Sequence, residues 1–121
     1  MKAACFLDTN ILLYRASTAE AELPKRRIAE TLLRRPDIGL SAQVLAEFYS
    51  NAVSKPGLRL PPATAQAIVQ TLTTLPVVPI TAELVLTAIR LRDRYQISYW
   101  DAVILAAARE LSATTLFLRR A

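Results

Sequence analysis

Short apolar runs alternate along the chain with longer segments in which apolar residues recur every three or four positions. The short runs predict buried strands and the longer ones predict helices with one buried face. The strands are predicted at residues 3–7, 38–40, 77–80 and 113–118. The helices are predicted at residues 11–16, 24–35, 42–52, 63–75, 82–94 and 98–108. This alternation predicts a parallel α/β sheet with helices on both faces, in a single domain over residues 1–121.

The spacing of apolar residues also predicts which side chains enter the core. In the second predicted helix, one face carries Ile28, Leu32 and Leu33. In the fifth, one face carries Leu84, Val85, Ala88 and Ile89. Residues 98–108 are apolar on almost every side, which predicts a buried helix. Trp100 is therefore expected in the core, although it adjoins Asp101 and stacking on a nucleic-acid base is the other interpretation.

Asp8 directly follows the first predicted strand and precedes Thr9 and Asn10. Residues of these three types favour turns and helix caps, so a helix is expected to begin here. The carboxyl ends of parallel strands are also where ligands bind in open α/β sheets. Asp8 therefore has two interpretations, a helix cap and a functional carboxylate.

Two later acids share this ambiguity. Glu47 lies beside an apolar helical stripe, where a solvated surface residue is the alternative. Asp101 follows Ser98 by three residues, which is also the spacing of a capping box. Ionised carboxylates are costly beside apolar segments, and clustered ones repel unless a cation neutralises them. Together with Asp8 they predict a site for Mg²⁺ or Mn²⁺, a kind of ion that prefers oxygen ligands and activates water.

Composition removes several classes of chemistry. The chain has no histidine, which excludes Ser-His-Asp triads and imidazole zinc sites. Its single cysteine, Cys5, has no partner for an internal disulfide and is expected to be buried as a small apolar residue. No apolar run is long enough to span a bilayer, and the first run is too short for a signal peptide. A cytoplasmic protein without a membrane is expected, and the net charge of +5 suits a polyanionic partner.

Three segments resemble the main motifs of PIN-domain ribonucleases, and in particular the VapC-type toxins of bacterial toxin–antitoxin pairs. These segments are Leu7-Asp8-Thr9-Asn10, residues 41–48 and residues 97–102. The resemblance implies a PIN-like three-layer α/β/α fold with a short, mostly parallel sheet of about four strands. It also implies an endoribonuclease that hydrolyses RNA phosphodiester bonds through a water activated by Mg²⁺ or Mn²⁺.

The same resemblance assigns roles and partners. Asp8, Glu47 and Asp101 are implied as the catalytic, metal-binding acids. Thr9 and Asn10 are implied to orient Asp8, and Ser41 to hold the helix that carries Glu47. The implied partners are RNA, a cognate antitoxin and a second copy of the chain, and we expect the dimer to form around residues 63–75. Four arginines are candidate RNA contacts: Arg26, Arg27, Arg119 and Arg120.

The chain departs from the family pattern near its end. Leu118-Arg119-Arg120 stands where the family has a fourth acidic position, and the final helix and strand are missing, so the expected fold is C-terminally shortened. A catalytically impaired module that binds antitoxin or RNA without cleavage is therefore an alternative. A phosphatase of the haloacid dehalogenase type is another, but that family needs a second Asp where Asn10 stands.

Overall fold

A four-stranded parallel sheet forms the centre of the computed structural model, which describes residues 1–117. The strands are β1 (Cys5–Leu7), β2 (Ile38–Ser41), β3 (Val77–Val78) and β4 (Thr115–Phe117). They lie side by side in the order β3-β2-β1-β4, and each neighbouring pair is parallel. The predicted parallel sheet is thus confirmed, with β3 at an edge.

Six α-helices connect these strands within the described residues. They are α1 (Thr9–Ala16), α2 (Leu23–Leu33), α3 (Ala42–Ser54), α4 (Pro62–Leu72), α5 (Ala82–Tyr95) and α6 (Tyr99–Glu110). A short 3₁₀ helix at Glu20–Glu22 lies between α1 and α2. None of these helices is long and apolar enough to cross a bilayer.

Apolar side chains pack on both faces of the sheet. Cys5 and Leu7 belong to a smaller cluster that includes residues of α1 and α2. Phe6, between them, joins a larger cluster with residues of α3 to α6. The alternation follows from the period of a strand, in which successive side chains point to opposite faces. Cys5 is fully buried as expected, and its burial raises the pKa of the thiol.

The strand order locates the place where a ligand is expected. The chain moves from β1 to β2 and β3 on one side, and then returns to place β4 on the other side of β1. This reversal creates a switch point at the carboxyl end of β1, where open α/β sheets bind their ligands. Asp8 is the residue that follows β1.

Gly39 allows α6 to approach the sheet closely. A Cβ atom at this position would lie 2.8 Å from Leu111 Cδ1 and 3.1 Å from the carbonyl oxygen of Pro76. Such distances are too short for any larger residue without movement of the backbone or of Leu111. The absence of a side chain on Gly39 therefore lets the end of α6 pack directly on β2.

Hydroxyl side chains begin three of the helices. Ser41, Thr81 and Ser98 each accept a hydrogen bond from a backbone N–H three residues later, at 3.1 to 3.2 Å. These bonds satisfy amide groups that have no partner within the helix. Ser41 and Thr81 thus cap α3 and α5, and the cap at Ser98 fixes the start of α6 next to Asp101.

Three core assignments were wrong. Ile28 is 56% exposed and Ile89 is 42% exposed, whereas α2 buries Ala29 and α5 buries Leu91 together with the correctly predicted Leu84 and Ala88. Trp100 is 62% exposed although it begins a mostly buried helix. The core is instead reached by neighbouring positions, namely Ala29 on α2, Leu91 on α5 and Ala102 on α6. The end of the predicted fourth strand lies outside the described residues, as do the candidate RNA contacts Arg119 and Arg120.

Candidate active site

Asp8 is buried at the junction of β1 and α1, with 5% of its surface exposed. Its Oδ1 atom accepts a hydrogen bond of 2.7 Å from the backbone N–H of Thr9, so Asp8 is the N-cap of α1. The cap interpretation is therefore right. It does not exclude the functional one, because the same carboxylate also lines a cavity.

Glu47 is half-buried on α3 and is held by two neutral donors. The hydroxyl Oγ1 of Thr9 donates to Glu47 Oε2 at 3.0 Å, and Gln43 Nε2 donates to Glu47 Oε1 at 2.8 Å. Asn51, one turn further along α3, donates its Nδ2 to the carbonyl oxygen of Glu47 at 2.9 Å. Thr9 thus bridges two of the acids, through its backbone to Asp8 and through its side chain to Glu47.

Asp101 lies in the first turn of α6, where Ser98 accepts a hydrogen bond of 3.1 Å from its backbone N–H. The side chain is half-buried. An acid in the first turn of a helix is favoured by the positive end of the helix dipole. The same placement directs Asp101 toward the residues that follow β1, as the shared cavity shows.

One cavity of about 270 Å³ brings the three acids together. Three separate parts of the chain supply its walls, namely the β1–α1 junction, one face of α3 and the start of α6. The lining residues are Asp8, Thr9, Asn10, Gln43, Glu47, Asn51, Ser98, Trp100, Asp101 and Ile104. Residues that are more than 90 positions apart in sequence therefore share a wall, at the switch point of the sheet.

The lining is acidic and polar, and it contains no lysine or arginine among the described residues. Glu47 has no ion-pair partner within the described part of the chain. Its two hydrogen bonds hold the carboxylate in place without neutralising its charge. A cavity of this kind is expected to attract a cation.

The side chains of this lining offer carboxylate and amide oxygens, which are the ligands that Mg²⁺ and Mn²⁺ prefer. The Oε1 atom of Gln43, a residue of this wall, is buried without a hydrogen-bond partner among residues 1–117. As the side chains stand, however, no group of three or more His, Cys, Asp or Glu residues within 1–117 is close enough to hold a metal. Coordination by all three acids therefore requires a movement of side chains.

Sequence reasoning missed Gln43 and Asn51. A signal for both was present, because they lie four residues before and after Glu47 and so share its helical face. Of the other predicted residues, Asn10 lines the cavity, whereas Ser41 is buried as the cap of α3 outside it. Arg26 lies away from the cavity, near Glu30 at 3.9 Å, and Arg27 is exposed.

Comparisons with known proteins agree with the fold described above. The chain is similar in structure to VapC20 of Mycobacterium tuberculosis, described as a toxin that cleaves the sarcin–ricin loop, with a TM-score of 0.75, 23% identity, and coverage of 96% of this chain and 89% of that chain. A toxin–antitoxin complex from Klebsiella pneumoniae matches with a TM-score of 0.69, 22% identity, and coverage of 95% and 86%.

VapBC2 from Rickettsia felis, bound to a promoter DNA fragment, matches with a TM-score of 0.63, 21% identity, and coverage of 95% and 86%. Nothing among the curated proteins matches significantly. At these identities the structural matches establish the fold, which confirms the PIN-like arrangement. The sequence profile of the PIN domain matches residues 5–118, which is almost the whole chain. The chain therefore belongs to the PIN-domain family.

Proposed function

We propose that the chain is a metal-dependent endoribonuclease that acts as the toxin of a toxin–antitoxin pair. The observation that carries this proposal is the convergence of Asp8, Glu47 and Asp101 on one cavity at the switch point of the sheet. PIN-domain nucleases generally use divalent metals, which supports the same reaction class.

In this proposal the three acids hold Mg²⁺ or Mn²⁺. A divalent cation held there supplies Lewis acidity, which lowers the pKa of a bound water and neutralises charge on the phosphoryl oxygens. Thr9 and Gln43 fix the position of Glu47 through their hydrogen bonds. Asp8 is fixed by its cap bond to the start of α1, so its position depends on the backbone and not on a flexible loop.

The nature of the partners rests on two kinds of support. VapC20 is described as a toxin that cleaves the sarcin–ricin loop, and the Klebsiella pneumoniae neighbour is a toxin–antitoxin complex, which supports an RNA substrate and an antitoxin partner. The net charge of +5 favours a polyanion.

We extend the proposal to a homodimer formed around residues 63–75 and to action in the cytoplasm, where RNA is available. Sedimentation at high protein concentration tests the dimer, which a monomer would contradict.

Titration calorimetry with Mn²⁺ tests the site without knowledge of the RNA target. We expect wild-type protein to bind Mn²⁺, and Asp8→Asn and Asp101→Asn each to abolish binding. Asparagine caps helices as well as aspartate does, so Asp8→Asn is expected to remain folded. Glu110→Gln is the matched control, since this exposed acid lies on the same helix as Asp101 but does not line the cavity.

The outcomes separate the possibilities. Binding that is lost in both variants but kept in Glu110→Gln establishes the acidic site. Binding that persists in both variants places the metal elsewhere and overturns the assignment of these acids. A folded wild-type protein that binds no Mn²⁺ overturns the proposed reaction.

A non-cleaving module that binds antitoxin or RNA is the second candidate function. It is favoured by one observation, that no three acidic, thiol or imidazole side chains within residues 1–117 lie close enough to hold a metal. This candidate predicts a folded protein that binds no Mn²⁺ and whose partner affinity is unchanged in Asp101→Asn.

A further inference from the structure

Trp100 is an exposed aromatic residue in the wall of the acid-lined cavity. Its side chain is 62% exposed, and it shares this wall with its sequence neighbour Asp101 and with Asp8. Burial of an indole is strongly favourable, so an indole that remains in solvent gains stability only when a partner covers it. The mostly buried helix α6 presents this ring to the cavity, and not to the core.

The orientation of this indole is set by Tyr99. The two rings lie 5.2 Å apart between centroids and are inclined at 70°, which is an edge-to-face arrangement. Tyr99 is itself partly buried against the main core cluster. A perpendicular contact leaves at least one face of the indole uncovered by Tyr99. The indole of Trp100 is therefore held by Tyr99 on one side and remains exposed on another.

We propose that Trp100 stacks on an unpaired RNA base beside the phosphate to be cleaved. This inference rests on the proposed ribonuclease function and assigns to Trp100 the positioning of the nucleotide beside the cleaved bond. Proteins read single strands by stacking bases on aromatic side chains, and this contact tolerates any base because each has a π-face. A duplex, whose bases are already stacked on each other, cannot offer a base to the ring without first unpairing it.

The chain offers a direct probe of this contact, because Trp100 is its only tryptophan. Excitation at the red edge of the absorption band isolates its fluorescence from that of the four tyrosines. The ligands are eight-nucleotide oligoadenylate and oligouridylate, each with Ca²⁺ in place of Mg²⁺, and an abasic ribose-phosphate chain of equal length. We expect both oligonucleotides to quench the emission and the abasic chain to leave it unchanged.

Variants measure the contribution of stacking to affinity. Trp100→Leu is expected to weaken binding of fluorescently labelled oligoadenylate by about 10- to 100-fold, while Trp100→Phe, which keeps an aromatic face, loses less. Tyr95→Leu is the matched control, because this exposed aromatic lies at the end of α5 and does not line the cavity. For an RNA that the protein cleaves, Trp100→Leu is expected to raise KM more than it lowers kcat.

Two results would overturn the inference. The first is RNA binding that leaves the Trp100 fluorescence unquenched, or that quenches it no more than the abasic chain does. Either observation shows that no base covers the indole. The other is the absence of any RNA binding by wild-type protein. Base-dependent quenching by a protein that cleaves nothing keeps the stacking contact and rejects only the nuclease activity.

Discussion

The two ends of the sheet carry carboxylates in opposite electrostatic situations. At the amino end, Asp37 precedes β2 and accepts two hydrogen bonds from the guanidinium of Arg35, at 3.0 and 2.9 Å. This contact lowers the pKa of Asp37 to about 2. At the carboxyl end, Glu47 is held by the neutral groups of Thr9 and Gln43.

This difference separates a structural acid from a candidate functional one. The charge of Asp37 is compensated within the chain, so the carboxylate serves to tie the start of β2 to the end of α2. The charge of Glu47 is positioned by hydrogen bonds but is not compensated by any ion pair in the described residues. Fixed geometry with uncompensated charge is the arrangement that a cation site requires.

The largest expected difference is between two variants that each neutralise one acid, one at either end of the sheet. We expect Asp101→Asn to lower the rate of cleavage of a single-stranded RNA library by at least about 100-fold, because even indirect neighbours of a metal contribute about 10- to 100-fold. Asp37→Asn is expected to leave the rate unchanged. Gel analysis of the cleaved library measures both rates under the same conditions.

Circular dichroism of the two variants serves as the control for folding. If both retain the wild-type spectrum and lose activity equally, the distinction between the two ends fails. Equal activity in Asp101→Asn and wild type would likewise remove Asp101 from the reaction.

A smaller effect is expected from the neutral donor that holds Glu47. Gln43→Met keeps the length of the side chain but removes the hydrogen bond from Nε2 and the buried acceptor Oε1. Because such supporting residues orient metal ligands, we expect Mn²⁺ affinity to fall by about 10- to 100-fold in titration calorimetry. Gln66→Met, on the exposed surface of α4, is the control.

Unchanged Mn²⁺ affinity in Gln43→Met would show that Glu47 needs no support from α3. An affinity loss of equal size in Gln66→Met would attribute the effect to general destabilisation. Either result removes Gln43 from the site.

The smallest expected effect concerns the acid dependence of stability. The pKa of Asp37 is lowered from 3.8 to about 2 in the folded chain, so its stabilising contribution is complete above pH 4 and is lost as the pH falls toward 2. Urea denaturation across this range is expected to show a shallower loss of stability in Asp37→Asn than in wild type. In an Arg35→Gln background the same substitution should change the slope less, and an undiminished change would show that Arg35 is not the cause.

Much of the fold follows from local sequence rules. The strand positions and the start of a helix at Asp8 were predicted, because apolar runs and caps act through neighbouring residues. The exposure of Ile28, Ile89 and Trp100 to solvent was not predicted. Each lies on a helix with apolar residues on several sides, and only tertiary packing decides which of them meets the sheet.

The candidate site divides in the same way. The position of Asp8 after a strand was predictable, since the strand and the turn are adjacent in sequence. That Glu47 and Asp101 share a cavity with it depends on the strand order, which local periodicity does not determine. Gln43 was identifiable only once Glu47 had been given a role, because its importance lies in the hydrogen bond between them.

Because Asp8 is a helix cap, a substitution there can affect the proposed activity without affecting the fold. An Asn at this position would still begin α1, so one conservative substitution can silence the proposed activity and leave the body of the protein intact. A silenced copy would keep its folded surface, and with it any part that the proposed antitoxin contacts. Under the proposed function, such a copy produced beside an active one would compete with it for antitoxin, so that a loss of catalysis in one copy would release activity in the other.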